Sequence, residues 1–153
     1  MTRVKIVTFV RAGARLVPIE NLERYDGDPD HVAGAISLRI DGAELLGPEL
    51  WDDVNWLWPF IVQALDEYRR TGSGKRSFPD QPISFSAESA WTGTALIKVF
   101  DGESIERSST APDDDLFEEV ARAGIFFFEE LQRLCPGTSF GVAERTTLDG
   151  WRL

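Results

Sequence analysis

Cysteine and histidine, two residue types that often carry out chemistry, occur only once each in this 153-residue chain. Cys135 alone cannot form an intramolecular disulfide, and one cysteine with one histidine cannot supply a four-ligand structural zinc site. A serine or cysteine hydrolase would need His31 as its base, and the Gly-x-Ser-x-Gly motif is absent from the sequence. We therefore expect no catalytic residue, no metal site and no cofactor.

Long apolar runs are also absent. No segment approaches the roughly 20 apolar residues that a membrane-spanning helix needs. The apolar run Val4–Val10 is short, and Arg11 and Arg15 follow it, which argues against a signal peptide. These features predict a cytoplasmic protein that does not enter a membrane.

Positive charge is scarce, because 16 lysines and arginines face 26 aspartates and glutamates, for a formal net charge of −10. Such a surface repels nucleic acids and anionic membranes and attracts basic partners. The main basic cluster, Arg69 to Arg76, falls at a predicted helix end and the loop after it. We expect a protein partner, with a basic surface favoured, and no nucleic acid.

Two segments resemble ligand-binding motifs without matching them. Segment 26–31 has aspartates at alternate positions, like the start of a calcium loop, but a proline interrupts it and Ser37 stands where the motif needs a glutamate. Segment 71–76 is rich in glycine but follows a helix, whereas phosphate-binding loops link a strand to a helix. The first segment is predicted to be a solvated acidic turn and the second part of an exposed loop over Thr71–Gln81.

Composition and periodicity indicate one α+β domain over residues 1–153, with 42% hydrophobic residues. Alternating or continuous apolar patterns predict strands at Val4–Val10, Leu16-Val17, Ile36–Ile40, Ala43–Leu46, Ile83–Ala87, Ala95–Phe100, Ser104–Ser108 and Ser139–Thr147. Asp41-Gly42 and Asp101-Gly102 predict hairpin turns. The expected fold is a largely antiparallel sheet of about five to six strands, with two long helices packed on one face.

The helices are predicted from apolar residues that recur every three or four positions. The first should run from Glu49 to Arg70, with a kink or break at Pro59. The second should start near Asp115, in a capping box with Glu118, and end before Pro136-Gly137. On its polar side we expect two ion pairs four residues apart, which are Glu118 with Arg122 and Glu129 with Arg133. Because each helix follows an Asp-Gly hairpin, an internal duplication is one interpretation.

The most informative feature is a set of apolar residues on the polar sides of both helices. On a helical wheel, Ile125 falls between Glu118 and Glu129, and Phe126 lies at the border of that face. In the first helix, Trp56 and Phe60 share the polar side. Either these residues pack under another element, or they form an exposed patch that binds a protein. The predicted partner-binding residues are Trp56, Phe60, Ile125, Phe126, Glu118 and Glu129.

Three classes of function remain open. The leading one is a small acidic protein-binding domain, for which a bacterial immunity protein that neutralises a toxin fits the size, charge and surface aromatics. The second is a homodimeric secretion or assembly chaperone. The third is a small-ligand-binding or enzymatic domain, with a carboxylate such as Asp53 or Glu88 in an aromatic pocket. That pocket would be lined by Trp51, Trp58, Trp91 and Phe85.

Overall fold

The computed structural model describes residues 3–152, which form nine strands, three α-helices and one short 3-10 helix. The strands are β1 (Val4–Ala12), β2 (Arg15–Pro18), β3 (Ala33–Ile40), β4 (Ala43–Leu46), β5 (Asp52–Asp53), β6 (Ser73–Ser77), β7 (Ser84–Trp91), β8 (Thr94–Phe100) and β9 (Glu106–Pro112). The α-helices are α1 (Val54–Thr71), α2 (Asp113–Leu134) and α3 (Val142–Trp151), and the 3-10 helix is Ile19–Asn21.

The first sheet is antiparallel, with the order β2-β1-β3-β4 and the short β5 also paired to β3. Alternate residues of β1 are buried, as expected for a strand with one face in the core. The turn between β3 and β4 is the predicted hairpin, since Asp41 and Gly42 have φ angles of 50° and 83°. Positive φ at both central residues is the type I′ geometry that Asp-Gly favours.

The second sheet is an antiparallel meander with the order β6-β7-β8-β9. Its β8–β9 connection is longer than the predicted hairpin, because β9 begins at Glu106 instead of Ser104. The Asp101 carboxylate closes the loop by accepting hydrogen bonds from the backbone N–H groups of residues 103, 104 and 105. An aspartate side chain that binds nearby backbone in this way competes with a tight two-residue turn.

The predicted α+β class and antiparallel pairing are confirmed, but the strands divide between a five-stranded and a four-stranded sheet. The prediction of a loop over Thr71–Gln81 was wrong, since β6 lies within it. Gly74 on β6 lies directly against α1, where a Cβ atom would collide with the Ala64 carbonyl. A strand of serine, glycine and basic residues shows no alternation of apolar and polar side chains, so the sequence did not predict it. Its backbone instead packs closely against α1.

Both long helices differ in detail from the prediction. Helix α1 begins at Val54 instead of Glu49 and continues through Pro59 without a break. Helix α2 begins at Asp113 after Pro112 and has no side-chain cap bond, so the predicted capping box is wrong. Its first turn holds three aspartates, and their negative charge interacts favourably with the positive end of the helix dipole.

Each long helix packs mainly on the sheet formed by the other half of the chain. Helix α1 follows the first sheet but contacts β6 and β7, whereas α2 follows the second sheet and contacts β1. Trp58 on α1 joins the layers, because its ring stacks on Phe127 of α2 with centroids 5.9 Å apart. Its indole N–H also donates to the Thr8 hydroxyl on β1 at 2.9 Å. The two halves therefore interlock around one shared hydrophobic cluster.

The predicted strand at Ser139–Thr147 was wrong, because this region begins helix α3. Helix α3 packs on α2 and α1 through two buried residues three positions apart, Leu148 and Trp151. Trp151 meets the Phe117 ring edge-on with centroids 5.0 Å apart. Leu148 lies beside Gly124, where any larger residue would collide with it. Helix α3 thus covers a side of α2 for which the sequence predicted no packing partner.

Candidate functional site: an acidic surface around Trp56

The predicted partner-binding residues lie on different sides of the molecule. Trp58 faces α2, and Trp56, two positions earlier, points roughly 200° away around the same helix. Phe126 lies instead beside the edge of β1, where it lines a small cavity of about 180 Å³ with Ile6, Val7 and Thr8. No single surface therefore unites the residues of α1 and α2.

Ile125, the strongest anomaly in the sequence, is half-buried and packs against the hydrophobic core. Its neighbour Gly124 adjoins Leu148, and Phe128 adjoins Gly141, just before α3. Because α3 packs along this side of α2, an apolar residue here has an internal packing role. By contrast, Phe126 is 41% exposed.

Glu118 and Glu129 are exposed, but the ion pairs predicted for them are wrong. Arg122 binds Glu119 through two hydrogen bonds of 2.7 and 2.8 Å. Arg133 likewise binds Glu130 at 2.7 Å. Both pairs span three residues instead of four, and neither Glu118 nor Glu129 forms an ion pair within residues 3–152.

Glu119 binds the edge of the first sheet as well as Arg122. Its carboxylate is buried and accepts a hydrogen bond from the Ile6 backbone N–H at 2.9 Å. Strand β2 pairs only with the second half of β1, from Phe9 to Ala12, so this N–H lies beyond it. Glu119 thus satisfies an edge group of β1 and fixes α2 to the first sheet.

On the other side of the molecule, the first turn of α1 anchors the acidic segment 26–31. The Asn55 amide oxygen accepts the Val32 backbone N–H at 2.9 Å. Its amide nitrogen donates to the carbonyls of Pro29 at 3.4 Å and Asp30 at 3.0 Å. One buried side chain therefore holds the loop backbone at three points.

Trp56 is fixed by the same loop and still faces solvent. Its indole N–H donates to the Asp30 carbonyl at 2.9 Å, and 48% of the residue is exposed. Phe60, one turn later on the same side, is half-buried. An aromatic ring with its orientation fixed before binding is a favourable anchor for a partner, since little freedom is lost on association.

The loop is further ordered by its own side chains. The Tyr25 hydroxyl donates to the carbonyl of Asp28 at 2.8 Å and to that of His31 at 3.3 Å. The Asp28 carboxylate accepts the Asp30 backbone N–H at 2.9 Å. The acidic turn predicted from the sequence is present, and hydrogen bonds from Asn55 and Trp56 tie it to α1.

A second set of carboxylates adjoins this loop at the start of α1. Asp52, Asp53 and Asp80 each place a carboxylate oxygen within 4.8 Å of the others. The buried Asp52 carboxylate accepts the backbone N–H groups of Asp53, Asp80 and Gln81 at 2.7 to 3.0 Å. These bonds make Asp52 a structural link between β5 and the β6–β7 turn. Its oxygens are therefore already engaged.

His31 connects the loop to this carboxylate group. Its Nδ1 lies 3.0 Å from the Asp53 carboxylate. The hydrogen bond that the imidazole donates to the Asp53 carboxylate raises the pKa of His31 above its usual value, and the charges of Asp28 and Asp80 act in the same direction. The imidazole is exposed, so it is accessible to a partner.

We call this region the Trp56 surface and define it by Trp56, Phe60, Asp28, Asp30, His31, Asp53 and Asp80. The sequence pattern predicted Trp56 and Phe60 as partner-binding residues. It predicted the aspartates of segment 26–31 as a separate, solvated turn. The side-chain contacts of Asn55 and Trp56 bring the two together across about 25 positions of sequence. Chemically, the region presents an exposed aromatic ring that is hydrogen-bonded to an acidic loop.

The aromatic residues proposed for a ligand pocket divide between core and surface. Trp58 and Phe85 are buried, whereas Trp51 is 42% and Trp91 62% exposed. Asp53 faces His31, and Glu88 pairs with Lys98 at 2.7 Å. None of these residues lines the small cavity beside Phe126.

A cavity of about 1160 Å³ lies at the start of α2 and is lined by four arginines and five carboxylates. Arg69 stacks over the Phe117 ring at 5.6 Å, and the Tyr68 hydroxyl donates to Asp113 at 2.6 Å. Burial, with this hydrogen bond, raises the pKa of Tyr68. Because both signs of charge line the cavity in similar number, its electrostatics select neither anions nor cations.

Comparison of the chain with protein-family models, curated proteins and solved structures finds no match. Among the helices formed by residues 3–152, none has the length and apolar character needed to span a membrane. Any functional assignment therefore depends on the chain's own surface chemistry.

Proposed function

We propose that this chain is a protein-binding domain that docks a basic protein surface on the Trp56 surface. The observation that supports this most strongly is the Trp56 ring, which is half exposed and donates its indole N–H to the backbone carbonyl of Asp30 in the acidic segment 26–31. Tryptophan is enriched among residues that dominate binding energy at protein interfaces. Surrounding negative charge accelerates encounter with a basic partner and selects against acidic ones.

The anchored loop supports the same function. Asn55 and Tyr25 hold the backbone of segment 26–31 before any partner arrives. Ordering a loop on binding reduces affinity, so a loop already fixed by hydrogen bonds favours tight association. Asp28 and Asp30 then present carboxylates from this fixed frame, while the Asp52 carboxylate holds the backbone N–H of Asp80.

Within this function, we propose the role of an immunity protein that neutralises a basic toxin domain by stoichiometric binding. An immunity protein needs no catalytic residue of its own, since occlusion of the toxin is enough. The exposed anchor and the net charge of −10 suit that task. A toxin partner would form a one-to-one complex whose affinity falls with added salt.

A labelled basic peptide tests the binding surface directly. The probe is a fluorescein-labelled peptide of alternating leucine and lysine, and binding is followed by fluorescence anisotropy. Loss of a hot-spot aromatic side chain costs about 2 kcal/mol or more, so Trp56→Ser should weaken binding at least about tenfold. Trp91→Ser is the matched control, because Trp91 is also exposed but lies on the second sheet.

Two further outcomes bear on the proposal. Raising salt from about 50 mM to about 500 mM should weaken wild-type binding, because exposed charge pairs are screened. Equal affinity of Trp56→Ser and wild type, or an equal loss in Trp91→Ser, would show that the Trp56 surface is not the docking site.

A further inference from the structure

Among residues 3–152, no helix covers one of the two faces of the first sheet. Along β1, Val4, Ile6, Thr8 and Val10 are buried, whereas the intervening side chains are exposed or half-buried. Helix α2 packs on β1, and on the buried side of this strand Trp58 of α1 donates to Thr8 and stacks on Phe127 of α2. The other face therefore points to solvent.

This solvent face combines apolar and basic side chains, and we call it the basic sheet face. It is defined by Lys5, Phe9, Arg11, Leu16, Arg39 and Trp51. Strand pairing places Arg11 opposite Leu16, and Lys5 opposite Arg39. Trp51 belongs to the same face because the Arg11 guanidinium lies 5.2 Å from its ring centroid. Trp51 is also 42% exposed, so much of its ring is available.

The charge of this face is opposite to that of the whole chain. Arg39 lies 3.4 Å from Glu44, and Arg3, near the start of β1, binds Asp41. Lys5 and Arg11 have no carboxylate within 4.0 Å among residues 3–152. Lys5 also lies directly opposite Arg39, and like charges in such a pair are destabilising. A bound anionic group would relieve that repulsion.

We propose that the basic sheet face docks an acidic segment of a protein partner, with an apolar side chain of the segment on Phe9, Leu16 and Trp51. Lys5 and Arg11 lie six residues apart on an extended strand, which places their Cα atoms roughly 20 Å apart. Carboxylates of the partner at that separation would meet Lys5 and Arg11, with the apolar contact near the Arg11 end.

The charge of the basic sheet face disfavours three other occupants, which are a second copy of the chain, a nucleic acid and an anionic membrane. A two-fold dimer through this face would bring Lys5 and Arg11 close to their own copies, which is repulsive. Nucleic acids and anionic membranes are bound by larger basic clusters, whereas the described residues of this face include two cations without an ion pair, in a chain of net charge −10. An acidic protein segment needs only the two cations and the apolar patch.

The test uses a second fluorescein-labelled peptide, of alternating leucine and glutamate and about 15 residues long, which spans the 20 Å when extended. We expect salt-sensitive binding to the wild type. Reversal of one interacting charge in Arg11→Glu or Lys5→Glu should weaken it about tenfold. Arg11→Lys keeps the charge and should stay within about threefold of wild type. Lys75→Glu, an exposed charge reversal on β6, is the control and should leave binding within about twofold.

Circular dichroism and thermal melts verify that each variant is folded. Absent binding of the acidic peptide, or an equal loss in Lys75→Glu, would overturn the proposal. Tighter binding of a fluorescein-labelled oligothymidylate would also overturn it, in favour of nucleic acid. The Trp56→Ser variant should bind the acidic peptide like wild type, so this inference and the proposed function can fail independently.

Discussion

Replacing Asp52 by asparagine changes the charge but not the volume of a side chain that accepts three backbone hydrogen bonds. One carboxylate oxygen accepts the Asp53 N–H, and the other accepts both Asp80 and Gln81 N–H groups. An asparagine can direct its single oxygen to one of these sites only. Its amide nitrogen then faces an N–H group, so at least one buried donor loses its acceptor.

The magnitude follows from these contacts. Hydrogen bonds to a charged group contribute about 1.5–3 kcal/mol each, and the bonds that remain become neutral and weaker. We expect Asp52→Asn to lower the free energy of unfolding by about 2–4 kcal/mol. Asp80→Asn is the control, because it removes a charge from the same cluster while the Asp80 side chain is exposed. It should change stability by less than about 0.5 kcal/mol.

Urea denaturation followed by circular dichroism measures both variants, with equal m-values as the condition for comparing them. Hydrogen exchange provides a local readout, since the amides of Asp80 and Gln81 should exchange faster in Asp52→Asn. A loss below about 0.5 kcal/mol, or an equal loss in Asp80→Asn, would refute the structural role of Asp52.

Three further predictions concern His31, Gly74 and Glu119. The pKa of His31 in the folded protein should exceed about 6.5 by NMR titration and return towards it in Asp53→Asn. Because the folded pKa is raised, its stabilising contribution is full below about pH 6.5 and is lost as pH rises through the folded pKa. Gly74→Ala should destabilise the protein by about 1–3 kcal/mol in urea, because its Cβ would collide with α1. Glu119→Gln should cost about 1–3 kcal/mol in the same assay, against less than about 0.5 for Glu118→Gln.

The Asp-Gly dipeptides predicted the turn between β3 and β4 correctly, but the connection between β8 and β9 is longer than predicted. At Asp41-Gly42, the dipeptide satisfies the backbone requirement by itself, so local sequence decides the structure. At Asp101-Gly102, the carboxylate binds three later N–H groups and makes the loop longer. The same dipeptide therefore produces two turns, according to where its aspartate side chain finds donors.

The elements missed from sequence are those whose formation depends on distant contacts. Strand β6 contains no large apolar residue, and its pairing with β7 and its approach to α1 at Gly74 define it. Helix α3 buries only Leu148 and Trp151, too few residues for a periodic signal. Because α3 was not predicted, the sequence indicated no element that could cover Ile125, which is half-buried.

The candidate site was predictable in its aromatic part only. The position of Trp56 on the polar side of a helix indicated an exposed ring, and the ring is 48% exposed. Its acidic surroundings depend on hydrogen bonds from Asn55 and Trp56 to the loop, which no local pattern reports. The basic sheet face depends likewise on strand register, since pairing places Lys5 beside Arg39.

The most direct test of binding at the Trp56 surface is an NMR titration of the ¹⁵N-labelled protein with the leucine–lysine peptide. The indole N–H signals of the five tryptophans report separate parts of the molecule. We predict that the Trp56 indole and the amides of Asp28, Asp30 and His31 shift together, while the Trp51 and Trp91 indoles stay in place. Shifts centred on Trp51 or Trp91, with an unchanged Trp56 signal, would contradict the proposed function.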